Sequence, residues 1–259
     1  FTYNSASRIV AVANLPEDAN VEYFVKVKNS DGILVDAENA VVSKDGVAVV
    51  DAGEYAIKAI VTKDGFNTLT LNEKEAINLI INKKDVTISD IDLEKTYDGK
   101  NTIAVSEGDA TVDGILNSEV SFQLADEVAL DSADVGDRSG TAAVTWTGDA
   151  QKNYNLPKEA KVNVTVAARP ITVTAASTTK KVETADPTFS ASVTAGTLAD
   201  GQTIEYTVTR EAGEEVGKYA IIPAAVIKSG ETDVTANYAI TYKNGELEII
   251  DAVLKDIKI

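Results

Sequence analysis

With 41 acidic residues and no histidine, cysteine or methionine, this 259-residue sequence holds one familiar catalytic resource, the paired carboxylate. Two acids flanking a glycosidic bond can cleave it, one protonating the leaving oxygen while the other attacks the sugar or activates a water. The commonest general base, the usual zinc ligands and the thiolate nucleophile are all missing. In so acidic a chain, carboxylate pairs arise from composition alone. No spacing marks one pair out, so the sequence reads as non-catalytic.

The same acids suggest a second chemistry. Asp126, Glu127, Asp131, Asp134 and Asp137 crowd one short stretch, and calcium takes hard oxygen ligands of this kind. No EF-hand spacing is present, and the competing reading is a solvated acidic face. Residues 85 to 168 carry 16 acids against 6 bases, so acidity is a general property of that region. No other cofactor is implied. The single tryptophan, Trp146, has a ring able to stack on a sugar. Strand alternation puts it on the same face as Val144, which points instead to the core. Without cysteine, small extracellular domains must take their stiffness from sheet cores, bound ions or other cross-links such as lysine–asparagine amides. No lysine here has a diagnostic partner for such a bond.

A formal charge of -17 repels phosphate backbones and anionic lipid, which excludes nucleic acid as a partner. No run of 18 apolar residues is available to insert into a membrane. The chain opens mid-pattern at Phe1 and ends in the strand-like segment Val253 to Ile259, so it reads as a piece of something longer.

The elements that must position these residues repeat along the chain. Asp51-Ala52-Gly53-Glu54-Tyr55, Asp134-Val135-Gly136-Asp137-Arg138 and Glu215-Val216-Gly217-Lys218-Tyr219 place their glycines about 80 residues apart, the length of a small β domain. Asn153-Tyr154 and Asn237-Tyr238 form a second recurring pair, with Phe66-Asn67 as a reversed counterpart. Each is followed by a closing strand: Ala76 to Ile81, Ala160 to Val166 and Glu246 to Ile250. A junction of two or three residues then leads into a new strand. The modules span residues 1–84, 85–169 and 170–251, with 252–259 starting a further strand or module.

Within each module the period is two, as in Val21-Glu22-Tyr23-Phe24-Val25 and Ile204-Glu205-Tyr206-Thr207-Val208, and β-branched residues fill the runs. Ser30-Asp31-Gly32, Lys44-Asp45-Gly46 and Lys63-Asp64-Gly65 are turns, and Lys243-Asn244-Gly245 reads as a hairpin. Leu71 to Ala76 is the one place for a short helical turn. The expected fold is all-β: three small modules in series, arranged end to end, each with its own core. Strands of eight to ten residues make each module about 30 to 40 Å long and three in line about 100 Å, the geometry of a spacer.

In the Asp51 and Glu215 motifs, Gly53 and Gly217 permit a sharp turn while Tyr55 and Tyr219 can pack inward and bond backbone through the hydroxyl. This is similar to the tyrosine corner of immunoglobulin-like sandwiches. A β-grasp-like module could present the same short motif. At Gly136 the tyrosine is replaced by Arg138, so that corner must be built differently. Residues 170 to 250 resemble the MBG domain, repeated on bacterial adhesins, through Asp186-Pro187-Thr188-Phe189, Asp200-Gly201-Gln202-Thr203, Glu215 to Ile221 and Asn237-Tyr238-Ala239-Ile240. Val182 departs from the Tyr-Gly step of many members. The second module resembles the YDG domain of large exported hemagglutinin-like proteins through Tyr97-Asp98-Gly99, Asp134-Val135-Gly136 and Asn153-Tyr154. The first is a diverged relative, recognisable mainly at Asp51 to Tyr55.

These resemblances imply a bacterial cell-surface or secreted location, tandem arrays and no catalytic residues. They imply a stalk or spacer segment of an adhesin that is monomeric and elongated. The alternatives are a repeat array binding host glycan, mucin or matrix protein, and an accessory region of a surface carbohydrate-active enzyme. Tyr97, Tyr154 and Tyr238, recurring at equivalent places, read as structural.

Overall fold

The computed structural model describes residues 1–74 and 76–251. It is all-β, with three short 3-10 turns at Glu107–Asp109, Asp149–Asn153 and Thr235–Asn237. In the segment expected to form a helical turn, Leu71 to Ala76, strand Leu69–Leu71 runs into a bend and turn over Asn72, Glu73 and Lys74, and residue 75 lies outside the described residues. The further strand expected over 252–259 lies outside the described residues.

Two compact units emerge, and the second module contributes to both. The first holds residues 1–90, 105–126 and 142–160; the second holds 91–104, 127–141 and the described residues from 161 onward.

In the first unit, Asn20–Lys28 pairs antiparallel with Gly53–Thr62, and Leu34–Asp36, Leu69–Leu71 and Ile77–Ile81 extend that sheet. A second sheet runs Arg8–Val10, Gly46–Val49, Val41–Ser43. Alternation turns Val21 and Tyr23 inward and Glu22 and Phe24 outward. With Val47, Val49, Tyr55, Ile57, Val61, Leu79 and Ile81 they build the core. That core does not stop at residue 84. Val86, Val120 and Tyr154 of the second module are buried in the same cluster, with Leu116 and Trp146 packed against it. The expectation of a separate core for each module therefore fails here. The second module's short strands in this unit, such as Thr87–Ile88 and Val112–Asp113, are two residues long and bury little on their own.

In the second unit, residues 169 to 250 form two packed sheets. One runs Ala191–Ala195, Arg169–Ala175, Tyr238–Lys243; the other runs Thr178–Lys181, Gly245–Ile250, Gly217–Ser229, Gln202–Arg210. The opening segment pairs parallel with Tyr238–Lys243 and then, after Ala176-Ser177, parallel with Gly245–Ile250 in the other sheet. Ala175, Ile221, Leu247 and Ile249 fill the space between, against Val182, Phe189, Val208 and Tyr219. The described residues contain no α-helix, and in this module the two sheets pack face to face as layers of a sandwich.

Asn244-Gly245 is not a hydrogen-bonded hairpin. Tyr238–Lys243 and Gly245–Ile250 belong to different sheets, so the chain crosses the sandwich there. A side chain at Gly245 would meet the carbonyl oxygens of Ala175 and Ala176 at 2.7 and 2.8 Å, which is why the crossing takes glycine.

Candidate functional site

The acids singled out for calcium do not converge. Asp131 accepts from the Ser139 N–H at 3.3 Å, Asp134 from Ser132 Oγ at 3.0 Å, and Asp137 from Thr165 Oγ1 at 3.2 Å. Asp126 and Glu127 are exposed at the end of one loop. Among the described residues no three carboxylates stand together as a metal ligand set. Asp131, Asp134 and Asp137 are bonded to separate partners, so the crowding along the sequence is not crowding around one point in space. Trp146 is half-buried, donates its indole N–H to the Pro157 carbonyl at 2.7 Å, and tilts against Phe122 at 5.7 Å between ring centroids. Its polar edge is already bonded to the protein.

Lys180 is the one lysine among the buried polar side chains described, held by Asp186 at 2.8 Å and Glu214 at 2.5 Å. Arg210 pairs with the same two carboxylates. The Arg210 and Lys180 bonds hold the Asp186 carboxyl down at about 2. Lys180, Arg210, Asp186 and Glu214 thus form one ion-pair network.

Where the repeated motifs meet, the geometry is specific. In the first unit, Asn153 of the second module is 1% exposed and closes on the first module's Asp51-Ala52-Gly53 turn. Its Oδ1 accepts the Ala52 N–H at 2.8 Å, and its Nδ2 donates to the Asp51 carboxylate at 2.9 Å. Lys152 and Asn39 reach the same carboxylate at 3.0 and 2.9 Å. Burial opposes ionisation of Asp51, but the Asn153, Lys152 and Asn39 bonds overcome it and keep the carboxyl below its ordinary value. Beside this lock, Tyr154 stands edge-on to Tyr3 at 5.4 Å, and both hydroxyls donate to Glu119, at 2.8 and 2.7 Å.

The second unit repeats the arrangement. Asn237 of the third module accepts the Val135 N–H at 2.9 Å and donates to Asp134 at 2.9 Å. The Asn237 bond is the main reason the Asp134 carboxyl lies below its ordinary value, with Ser132 adding to it. Tyr238 stands edge-on to Tyr97 at 5.6 Å, and Gln202 bridges them, accepting from Tyr238 at 2.6 Å and donating to Tyr97 at 2.8 Å. Gly99, with φ of +80°, lets this turn approach Gln202 and Ala199 closely; a Cβ there would stand 3.2 and 3.5 Å from them. Asp98 shapes the same turn by accepting the Lys100 N–H at 3.0 Å and pairing with Lys95 at 2.7 Å.

Each turn is braced from behind. Tyr55 donates its hydroxyl to the Asp51 carbonyl at 2.8 Å and Tyr219 to the Glu215 carbonyl at 3.0 Å. At Gly136 the Arg138 guanidinium does this work, donating to the carbonyls of Asp134 and Val135 at 2.8 Å each. A forked donor substitutes for a phenol because both reach back four residues, from the start of a strand to the turn before it.

Two participants escape a reading of the sequence. Glu119 and Gln202 occupy equivalent places, each three residues after the residue whose N–H bonds the docked tyrosine, Leu116 to Tyr154 at 3.2 Å and Ala199 to Tyr238 at 2.9 Å. Tyr3-Asn4-Ser5 is the first module's counterpart of Tyr97-Asp98-Gly99. Both tyrosine N–H groups bond the end of a closing strand, Asn82 and Ala167, at 2.8 Å. Asn4 accepts the Ala6 N–H at 3.2 Å as Asp98 does that of Lys100, and Ser5 takes the positive φ, +55°, of Gly99. Glu119 and Gln202 share an offset of 68 residues from Asp51 and Asp134, the signal that would have found them, whereas Tyr3 lies 48 residues before Asp51 and Tyr97 only 37 before Asp134.

No helix among the described residues is long and apolar enough to cross a membrane. No curated protein matches the sequence. Among solved structures, human CDH23 EC21-23 is 14% identical, covering 97% of this chain and 98% of that one at a TM-score of 0.25. Drosophila N-cadherin EC1-4 is 12% identical over 90% and 67% at 0.25. A SusE-like surface located polysaccharide binding protein from Bacteroides thetaiotaomicron is 8% identical over 90% and 49% at 0.19. Scores this low carry no weight for fold or function. The family models are specific: the YDG domain model matches residues 82–164, and the MBG domain (YGX type) model matches residues 171–248. The chain is a tandem β repeat region in which a YDG domain is followed by an MBG domain.

Proposed function

We propose that this chain is a non-catalytic spacer segment of a bacterial surface or secreted adhesin, built so that each module is fixed to the next. The observation that supports this is the use of the recurring residues. Asn153 and Asn237, with the tyrosines that follow them, are buried against the preceding module's turn and are not presented to solvent. A repeat position that a binding array would offer to a ligand is here occupied by the neighbouring module. Polar locks of this kind specify one docking register, which a stalk needs and a flexible tether lacks.

The test is nuclear relaxation and residual dipolar couplings on the intact chain. The first module and the residue 105–126 and 142–160 segments should share one alignment tensor, and so should residues 91–104, 127–141 and 161–251. Independent reorientation within either set would overturn the reading.

One observation favours a second reading, contact with a glycan, mucin or matrix protein through the first module. Ile9, Ile33, Val41, Phe66 and Leu69 are more than half exposed there, whereas no large apolar side chain is exposed among residues 82–169. Ile9 and Val41 flank Ala48 on one row of the three-stranded sheet. A saturable signal from the intact chain on mucin, glycan or matrix panels, lost on Ile9→Lys with Val41→Lys, would establish it. A negative screen on verified folded protein would leave the spacer.

A further inference from the structure

The two locks leave a third receiver free. We propose that the Glu215-Val216-Gly217 turn of the third module is a docking site for a further module of this kind, one that presents an asparagine carboxamide followed by an aromatic residue. It rests on the docking geometry, and it holds whether the array serves as spacer or adhesin.

The turn is built like the two that are occupied. Tyr219 braces the Glu215 carbonyl as Tyr55 braces that of Asp51. In the occupied turns one backbone N–H and one carboxylate are taken by asparagine: Ala52 and Asp51 by Asn153, Val135 and Asp134 by Asn237. Their counterparts, the Val216 N–H and the Glu215 carboxylate, have no hydrogen-bond partner among the described residues. Val216 is 59% exposed, an apolar side chain standing in solvent on the same turn. A donor and an acceptor set side by side on a braced turn match the Oδ1 and Nδ2 of a carboxamide. A lone ion satisfies only one of the pair, and a water fills both without the geometric selection.

Two departures define what docks there. Val182 stands where Tyr3 and Tyr97 stand, its N–H bonding the end of the closing strand at Ile250 at 3.0 Å. The incoming aromatic ring would find methyl groups in place of a tyrosine edge. Glu215 is one methylene longer than Asp51 and Asp134, so its carboxylate can follow an asparagine that sits further out. Edge-to-face ring pairs contribute about 0.5–1.5 kcal/mol, so the third site should hold its module several-fold to about tenfold less tightly than the first two.

The test joins a second copy of residues 83–251 directly after Asp251, which keeps the short junction seen after Ile81 and Ala167, and follows amide hydrogen exchange. In the unextended chain the Ala52 and Val135 amides should exchange slowly and Val216 rapidly. In the extended chain Val216 should slow at least tenfold. Changing the second copy's Asn153 to alanine should restore the fast rate while Ala52 and Val135 stay slow. Val182→Tyr with Glu215→Asp should slow Val216 further, by up to about tenfold, toward the other two. An unchanged Val216 rate, with Ala52 and Val135 still slow, overturns the proposal. So does an appended module whose near end stays unfolded, because Tyr154 must be received by a preceding module to be buried. Neither failure touches the spacer reading, which concerns the locks already closed.

Discussion

Replacing Asn153 with alanine should destabilise the first unit by about 2.5 kcal/mol. The carboxamide accepts the Ala52 N–H at 2.8 Å and donates to Asp51 at 2.9 Å from a position that is 1% exposed. Leaving that N–H unpaired costs about 1–3 kcal/mol, and a hydrogen bond to a charged group contributes about 1.5–3 kcal/mol. Asp51 keeps Lys152 at 3.0 Å and Asn39 at 2.9 Å, so the lower ends of both ranges apply. Trp146 lies in this unit and is the single tryptophan, so its fluorescence during urea unfolding of the intact chain reports the relevant transition. A double-mutant cycle of Asp51→Ala and Asn153→Ala should return a coupling of about 1.5–2 kcal/mol at pH 7. The pH dependence follows from the depressed Asp51 pKa. A carboxyl lowered in the folded state contributes stability above its unfolded pKa of about 3.9 and loses it as pH falls through the folded value. The coupling should stay constant from neutrality to about pH 5 and fade below about pH 4. A coupling under about 0.5 kcal/mol at pH 7, or one unaltered at pH 3, would refute the lock.

The remaining outcomes are as follows. Tyr97→Phe removes the hydroxyl that accepts from Gln202 but keeps the ring against Tyr238, and should cost about 1 kcal/mol; Tyr97→Leu should cost about 1 kcal/mol more, both read as faster hydrogen exchange at Ala199 and Gln202. Arg138→Ala should cost about 1–2 kcal/mol in urea unfolding and Arg138→Tyr less than half of that, because a phenol can reinstate the brace seen at Tyr55 and Tyr219. Burial, aided by the Asp51 charge, pushes Tyr55 up to about 12. A folded pKa raised above the unfolded value of about 10 gives stability that is complete below pH 10 and lost as pH rises through 12. Tyr3 and Tyr154 shift in the same direction, so the Trp146-reported melting temperature should be level to about pH 10 and fall beyond it. A level profile to pH 12 would contradict the burial of these hydroxyls.

The all-β fold was open to a reader of the sequence because alternation and β-branched runs act over neighbouring residues. Val21 and Tyr23 face inward for the reason the pattern states. The acidic cluster illustrates that distance along a chain bending through a turn says little about distance in space: Asp131, Asp134 and Asp137 are drawn to Ser139, Asn237 and Thr165. Asn244-Gly245 misled for a related reason, since a turn dipeptide reports chain reversal but not which sheet receives the next strand. The junctions were half legible. Asp-x-Gly and Asn-Tyr were visible as repeats, but nothing local says that one module's copy of the first meets the next module's copy of the second. That pairing spans 102 residues from Asp51 to Asn153 and 103 from Asp134 to Asn237.

This pairing also explains why the polar and aromatic halves of each junction sit side by side. The tyrosine pair supplies area: Tyr3 and Tyr154 are 4% and 2% exposed, and burying such rings is the main favourable term. An apolar contact alone tolerates sliding and rotation. The asparagine carboxamide does not, because its two ends need a donor and an acceptor at fixed separation, and a misplaced module would leave a buried N–H unpaired. Glu119 and Gln202 then tie the rings themselves to one orientation. With Val182 in place of the platform tyrosine, the third module keeps the polar half of this device without its aromatic half. Register there should be specified as strictly as at the first two junctions, while adhesion is weaker. If the array yields under load, the module docked on Glu215 should separate before those docked on Asp51 and Asp134. Single-molecule pulling on the extended chain would show this as a first release at lower force, and a first release at the Asn153 or Asn237 junction would reverse the order argued here.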